Sequence, residues 1–406
     1  MAHLTSLRIH NRADQHRVWG LIVFAGSVPE ARALGLRRII LEIGPYRREV
    51  ALEQMSNLDE NDDRFYFAIV TQQLRNGPAT LLIRDVSDNL ERGAPGTEPV
   101  VARYGVIVDN PGALASLVGN IMDENRRSAI LVGQIDSRMF PYEAARVNGL
   151  ELEQWRMSAA NGAVGSQTGQ WAVVHEAMMK DGFAVLQERV PESLCDRFVA
   201  EVKAEIDSGR LAYEWGSSTR LHHTHRLPSG SQIWKFPPVI EFLKAWFQDL
   251  PVACQTLFYF NGSGQRAHQD TIHLTSFPAG FMCGVWVALE DVQPDSGELF
   301  VYKGSHGMPR LYVADLGLPK VLEDYSAYSR FDDEIANLLS LGGYERITYR
   351  PQKGEILVWH ENLAHGGGPR LDLSKTRTSV VSHYFARSAA AYFDSRGEAA
   401  TLEELA

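Results

Sequence analysis

Three residues in the second half of the chain have the types and the spacing of a metal site. His268 and Asp270 follow the strand-like residues 256–260, and because they are two residues apart on an extended chain their side chains share one face. His365 follows a second strand-like segment, residues 355–359. Two histidines and one carboxylate form the facial triad that binds non-haem Fe(II) and leaves open coordination positions. Since a His-x-Asp pattern alone is more typical of a surface pair or a turn, the prediction of His268, Asp270 and His365 as metal ligands and catalytic residues depends on all three.

A candidate anion site follows the third ligand. Arg377 begins the strand-like residues 378–385, and Ser379 lies on the same face two residues later. A planar guanidinium binds a carboxylate through two hydrogen bonds, which is what anchoring the far end of a dicarboxylate cosubstrate requires. Without the histidines, a surface ion pair would be the simpler interpretation of Arg377.

Three further side chains are predicted to line the pocket near that cosubstrate. Gln255 and Tyr259 share one face of a strand, and Trp286 lies in the apolar segment 281–289. Core packing is an equally good interpretation of all three residues.

Several motifs in one order resemble the phytanoyl-CoA dioxygenase family of Fe(II)/2-oxoglutarate oxygenases. The segment AHQDTIHLTSFPAGFMCGVWVALEDVQPDSGELFVYKGSHG contains the His-x-Asp pair, a W-x-A-x-E strand beginning at Trp286, and G-S-H at 304–306. The segment HGGGPRLDLSKTRTSVVSHYF, with His365, Arg377 and His383, resembles the second signature of the family, and MKDGFAVLQERVPESLCDRF resembles its opening. The resemblance covers about residues 171–385.

The resemblance implies an enzyme with iron, 2-oxoglutarate and molecular oxygen as its cofactor and cosubstrates. His268, Asp270 and His365 would bind the iron, and Arg377 would hold the distal carboxylate of 2-oxoglutarate. A C–H bond of a small-molecule or carrier-linked substrate would be hydroxylated, with release of succinate and CO2. Asp270 disfavours halogenation, because the related halogenases lack that carboxylate. Gly367 departs from the family, which often has a hydroxyl residue there.

The elements that must position these residues indicate two domains. The 406 residues, 45% hydrophobic and 22% charged, suffice for two or three globular domains. Short strand-like segments separated by turns are typical of a β-sandwich, and they lie at residues 7–9, 18–24, 38–43, 64–70, 79–83 and 100–108. Residues 111–127 have weaker helical periodicity, and residues 158–170 are small and polar like a linker.

The second domain is predicted to begin with helices and to continue mainly as strands. Helices are expected at 171–179, 191–208 and 239–247, and strands at 183–186, 256–260, 281–289, 299–301, 345–349, 355–359 and 378–385. The predicted fold is mainly β: a C-terminal double-stranded β-helix (a cupin-like jelly roll) with flanking helices over residues 171–406, preceded by a small β-sandwich-like domain over residues 1–157.

Charge and hydropathy limit the partners. With 40 basic and 50 acidic residues the net charge is −10, so a nucleic-acid partner is not expected. No run of 18 apolar residues and no signal-peptide pattern occurs, so we expect no membrane span and a cytoplasmic location. Residues 222–226 (HHTHR) are predicted to be a polar loop rather than a second metal site, and Arg220, Arg226 and Lys235 around it would suit an anionic substrate.

A rival hypothesis comes from a different functional class. The barrel could be a non-catalytic ligand- or glycan-binding protein with an oxygenase-like fold, since the N-terminal region has no chemical motif and its acidic run at 59–63 is more simply a solvated loop. The four residues His268, Asp270, His365 and Arg377 favour the enzyme. The sequence leaves the substrate and the oligomeric state open.

Overall fold

The structure is a computed structural model that describes residues 3–11, 16–44, 46–52, 63–71, 74–86, 98–110, 135, 137–140, 169–213, 219–321 and 325–405. Three predictions lie wholly or largely outside these residues: the helix at 111–127, the linker at 158–170 and the acidic loop at 59–63.

Two sheets form the N-terminal sandwich. Its strands are β1 (Arg8–Ile9), β2 (Arg17–Val18), β3 (Leu21–Ser27), β4 (Arg38–Ile43), β5 (Tyr46–Ala51), β6 (Arg64–Val70), β7 (Gly77–Asp85) and β8 (Val100–Val108). One sheet has the order β1-β3-β6 and the other β2-β8-β7-β4-β5, and every pairing is antiparallel except β2 with β8. Apolar side chains of both sheets, such as Phe24 and Leu41, share one core.

Within the sandwich, one strand was predicted with the wrong ends, and one observed strand was not predicted. Residues 18–24 are divided between β2 and β3, because the backbone turns at Gly20, where φ is +64°. Strand β5 carries the charged sequence YRREVA and has mostly half-buried or exposed side chains, so it lacks an apolar alternation. It forms because it completes the edge of its sheet beside β4.

The C-terminal part is a jelly-roll barrel, which confirms the predicted mainly β class. Its strands are β9 (Phe183–Val185), β10 (Leu221–His222), β11 (Pro251–Tyr259), β12 (Thr275–Phe277), β13 (Met282–Ala288), β14 (Leu299–Tyr302), β15 (Arg346–Tyr349), β16 (Ile356–His360), β17 (His365–Gly367), β18 (Ser379–Ala386), β19 (Ala390–Phe393), β20 (Glu398–Ala399) and β21 (Glu403–Glu404). The large sheet has the order β10-β11-β18-β13-β16-β9, with β21 also paired to β11.

The barrel interior lies between this large sheet and the small sheet β15-β14-β17. Alternate residues of the large sheet, among them Leu257, Trp286 and Val381, pack with Leu299 and Val301 of the small one. Strands β13 and β18 are buried along their whole length, so both of their faces are covered. A third sheet, β12-β19-β20, lies beside the barrel.

Four of the six described α-helices, those between residues 172 and 247, cover the outer face of the large sheet. The described α-helices are α1 (Val28–Ala33), which belongs to the sandwich, and α2 (Ala172–Asp181), α3 (Glu192–Asp207), α4 (Pro228–Trp234), α5 (Pro237–Phe247) and α6 (Ser329–Gly342). Helix α3 buries Leu194, Phe198 and Val202 at a spacing of four residues, and the Phe198 ring contacts that of Phe258 on β11 at 5.5 Å. Helices α1, α4 and α6 were not predicted, and α6 packs away from the large sheet, against Ile272 and Met308.

The sandwich packs directly on the barrel. Trp19 is buried in a cluster with Met282 and Phe385 of the barrel. Arg387 lies 4.5 Å from the centre of the Trp19 ring, and its Nη2 is 2.9 Å from Asp109 Oδ2. Among the described residues, no helix is long and apolar enough to cross a membrane.

Candidate metal centre

His268, Asp270 and His365 come together because two segments of the barrel pair. The backbone N–H of each histidine donates to the carbonyl oxygen of the other, both at 3.0 Å, which closes an isolated antiparallel bridge. Asp270 then begins a short 3-10 helix, Asp270–Ile272. All three side chains are buried, and one ligand atom of each lies within 4.8 Å of the others. These three sequence-predicted residues therefore share one place in the fold.

Each histidine presents one ring nitrogen to the centre. Nδ1 of His268 lies 2.9 Å from the Arg266 carbonyl oxygen, and Nδ1 of His365 lies 2.9 Å from that of Leu363. A carbonyl oxygen only accepts, so the proton of each neutral ring is on Nδ1 and the lone pair is on Nε2. Both Nε2 atoms are 3.7 Å from Oδ1 of Asp270. The three atoms surround one point with the donor set of a facial triad.

The charge states of these groups suit a metal cation. Burial, followed by the charge of His365, lowers the pKa of His268 to about 4, so the ring is neutral at physiological pH. Burial alone would raise the pKa of Asp270, but His365, His383 and His268 together hold it well below its usual range. The centre therefore offers a neutral imidazole at His268 and an ionised carboxylate at Asp270.

Arg377 is a buried cation without a carboxylate partner among the described residues. Its side chain is 2% exposed, and Nε is buried with no hydrogen-bond partner. The guanidinium carbon lies 5.9 Å from the Tyr259 ring centre and 5.7 Å from that of Trp286. Burial lowers the pKa of Arg377 to about 10, which still leaves it charged at neutral pH. An unpaired buried charge is costly, so this position is suited to an anion.

The remaining predicted pocket residues fall into two places. Ser379 pairs in register with Tyr259, and its buried Oγ lacks a partner, as does Trp286 Nε1. Tyr259 and Trp286 lie beside the Arg377 guanidinium, and Ser379 lies two residues further along the chain, opposite Tyr259. Gln255 lies elsewhere: its Nε2 is 3.4 Å from Nδ1 of His383, beside the metal ligands. Its role as a cosubstrate contact stays a prediction.

Two residues at the centre were missed as functional by the sequence reasoning. Trp359 donates from Nε1 to Oδ2 of Asp270 at 2.8 Å, and Nε2 of His383 lies 3.6 Å from the same oxygen. Both are buried. The sequence signal available for His383 is its position in the segment that resembles the second family signature.

The side chain of another residue lies beside Gly367, where the family often has a hydroxyl residue. A Cβ built on Gly367 would overlap the hydroxyl oxygen of Ser263. The position next to Gly367 is therefore occupied by a hydroxyl group that a different residue carries.

The predicted polar loop at 222–226 is partly wrong. Leu221–His222 form strand β10 on the edge of β11, and Thr224–Arg226 form a 3-10 turn. The His225 ring contacts that of Trp234 with centres 3.8 Å apart and planes tilted by 47°, and its Nδ1 is 2.9 Å from the Thr256 hydroxyl. Within the described part of the chain, the group of side chains that could hold a metal is His268, Asp270 and His365.

The sequence comparisons agree with the resemblance. Residues 178–371 match the family model of phytanoyl-CoA dioxygenase. These residues are therefore similar to the phytanoyl-CoA dioxygenase family. Phytanoyl-CoA dioxygenase domain-containing protein 1 of Danio rerio is 40% identical over 122 residues, which are 28% of this chain and 38% of that protein. The Mus musculus protein of the same name is 31% identical over 88 residues, which are 21% of this chain and 30% of that protein. The matches thus span well under half the length of these curated relatives.

Among solved structures, the chain is similar to EctD from S. alaskensis with bound Fe. The TM-score is 0.43 at 18% sequence identity, and the superposition covers 56% of this chain and 85% of that chain.

Proposed function

We propose that the protein is an Fe(II)/2-oxoglutarate-dependent dioxygenase that hydroxylates a C–H bond of a small-molecule or carrier-linked substrate and releases succinate and CO2. One observation carries the proposal: a buried two-histidine, one-carboxylate cluster shares the barrel interior with a buried guanidinium that has no carboxylate partner among the described residues. The family match supports the same chemistry.

Iron fits the first part of the site. His268 and His365 would bind it through Nε2, because backbone carbonyls hold their Nδ1–H groups, and Asp270 would bind it through Oδ1. Mixed imidazole and carboxylate ligands suit a divalent first-row metal.

2-Oxoglutarate fits the second part. Arg377 would bind its distal carboxylate through two parallel N–H donors, and the unpartnered hydroxyl of Ser379 would add a third donor. The rings of Tyr259 and Trp286 flank the guanidinium and would exclude water from this ion pair. Binding of the dianion would supply the countercharge that Arg377 lacks in the protein alone.

The chain itself contributes orientation and exclusion of water. Bound iron with 2-oxoglutarate and oxygen supplies the oxidising chemistry when it is present. Arg377 would fix the cosubstrate at one end, and the three buried ligands would leave one side of the metal open. Neither His268 nor Asp270 has to lose a proton to bind the metal, since His268 is neutral and Asp270 ionised at neutral pH.

The substrate and the location belong to the same proposal. Arg220 is half-buried and hydrogen bonds to Tyr259, while Arg226 and Lys235 are exposed nearby, so an anionic substrate is favoured. We place the protein in the cytoplasm, in line with its sequence pattern.

Thermal unfolding tests this function directly. A ligand that binds only the folded state raises the melting temperature, so Fe(II) together with 2-oxoglutarate should do so for the wild type under anaerobic conditions. The 2-oxoglutarate contribution should disappear in Arg377→Met, and both contributions should disappear in His268→Ala. A melting temperature that neither ligand raises would contradict the proposal and favour the non-catalytic rival.

A further inference from the structure

Oxygen Oδ2 of Asp270 is held by two neighbours, whereas Oδ1 faces the histidines. Trp359 Nε1 donates to Oδ2 at 2.8 Å, and His383 Nε2 lies 3.6 Å from it. Oδ1 is 3.7 Å from Nε2 of both His268 and His365. A free carboxylate can bind a metal through one oxygen or both. Here the two oxygens have different surroundings before any metal is bound.

The neighbours of Oδ2 come from one row across the large sheet. Gln255, His383, Gly284 and Trp359 are consecutive cross-strand partners on β11, β18, β13 and β16. Cross-strand partners lie on the same face of a sheet, and this face is the barrel interior. The row therefore faces Asp270 as a unit.

Gly284 makes room for the indole within that row. A Cβ on Gly284 would overlap three atoms of the Trp359 ring, including Nε1. The indole therefore lies across the backbone of β13, and its N–H reaches Oδ2. A glycine in the interior of a buried strand weakens the strand, so a close approach of this kind is its physical reason here.

Gln255 determines which nitrogen of His383 carries the proton. Its amide Nε2 lies 3.4 Å from Nδ1 of the ring. An amide nitrogen only donates, so Nδ1 accepts and a ring N–H is at Nε2, on the side of Oδ2. Gln255 thus selects the ring orientation in which His383 directs an N–H towards Asp270.

We propose that His383 and Trp359 are positioning residues that hold Oδ2 of Asp270 and leave Oδ1 alone to bind the metal. This inference rests on the iron site of the proposed function. With Asp270 bound through one oxygen, His268, Asp270 and His365 would each supply one ligand atom and would leave the other coordination positions open for the cosubstrate and oxygen. A carboxylate released from His383 and Trp359 could bind through both oxygens and occupy one of these open positions.

The test uses the full-length protein and Co(II) as the probe, with affinity and visible absorption as readouts. His383→Phe keeps a ring but removes the donor, and it should weaken Co(II) binding by about 10–100-fold, as loss of a group that orients a metal ligand typically does. The absorption band of the bound Co(II) should also change, because the coordination of Asp270 changes. His383→Gln places an N–H donor near the same point and should restore most of the affinity and the wild-type spectrum.

A matched control separates positioning from general damage to a buried histidine. His306 is half-buried, and its Nε2 lies 3.0 Å from the Met179 carbonyl oxygen, away from Asp270. His306→Phe should leave the Co(II) affinity unchanged. If His383→Phe does not fold, Trp359→Phe takes its place, because it removes the indole N–H donor. Co(II) affinity and absorption of this variant then test the positioning role.

The possible outcomes distinguish failure of the proposed iron site from failure of the positioning role alone. A wild type that does not bind Co(II) contradicts the proposed iron site and the inference with it. A wild type that binds Co(II), with the donor-lacking variants unchanged in affinity and spectrum, overturns the positioning role alone. The same holds if His383→Gln is as weak as His383→Phe, because the donor would then not be the cause.

Discussion

The surroundings of Arg377 indicate that its ligand is an anion. Its guanidinium is buried between two aromatic rings, and a hydrogen bond to a charged group contributes about 1.5–3 kcal/mol. We therefore expect Arg377→Met to weaken 2-oxoglutarate binding by about 10–100-fold, measured by calorimetry on the anaerobic Fe(II) protein. The free energy of unfolding without ligand should not fall, because the substitution removes an unpaired buried charge.

Arg189 provides the control for that substitution. It is an exposed arginine that donates to Glu355 and Gln352. Arg189→Met should leave 2-oxoglutarate affinity unchanged. Equal affinities of wild type and Arg377→Met would remove Arg377 from the cosubstrate site.

His222 gives a prediction about pH. Burial, and then the charges of Arg220 and His223, lower its pKa from the ordinary 6.5 to about 4. Between these values the unfolded chain binds a proton that the folded chain does not, so the stabilising contribution is complete above pH 6.5 and is lost as the pH falls towards 4. His222→Gln should flatten this part of the stability curve, measured by urea unfolding from pH 4 to 7. An identical slope in His222→Gln, or an equal flattening in the exposed His3→Gln, would contradict the assignment.

The sequence predicted the metal ligands better than the residues that hold them. His268 and Asp270 share a face because they are two residues apart, and His365 follows a strand. These features can be read from residues adjacent in the sequence. The contact of His383 with Asp270 depends instead on the register of β18 beside β13, which local spacing does not contain. The same is true of Trp359, which reaches Asp270 across a strand.

At the scale of elements, Gly284 of β13 leaves room for the Trp359 side chain of the neighbouring strand β16. Gly284→Ala should lower the free energy of unfolding by about 1–3 kcal/mol, because the new Cβ would push the Trp359 indole out of its position. Co(II) affinity should fall as well, since the indole would no longer reach Asp270. Urea unfolding and metal titration check the two effects.

Gly105 is the matched control, since it also lies in a strand, β8, but a Cβ there would meet nothing within 4 Å. Gly105→Ala should be neutral in both measurements. A Gly284→Ala protein with wild-type stability and metal affinity would show that the indole has room to move without consequence.

Most elements with strong apolar periodicity were predicted closely, whereas α4 was missed for lack of it and α6 was missed in spite of it. The prediction for β4 and β6 matches the structure residue for residue, and α3 differs by one residue at each end. Helix α4 is short and contains serines and a glycine, so its propensity is low and its packing forms it. Helix α6 does bury Phe331, Ile335 and Leu339 at helical spacing, so its signal was present in the sequence.

At the scale of the whole molecule, the sandwich and the barrel share buried surface. Trp19 is 1% exposed among barrel side chains, and one face of β3 packs into the largest cluster of the barrel. We expect Trp19→Ala to lower the free energy of unfolding by about 3–5 kcal/mol and to shift a single transition seen by both circular dichroism and tryptophan fluorescence. Two separate transitions, with only the first one shifted, would show that the two parts unfold independently.

The proposed function requires one buried site that holds both iron and 2-oxoglutarate. The weak visible charge-transfer band of Fe(II) with 2-oxoglutarate bound, recorded on anaerobic protein, reports on both ligands at once. We expect a band in the wild type that is lost in His268→Ala and weakened in Arg377→Met. Absence of the band from the wild type at saturating iron and 2-oxoglutarate would show that the protein has no such site.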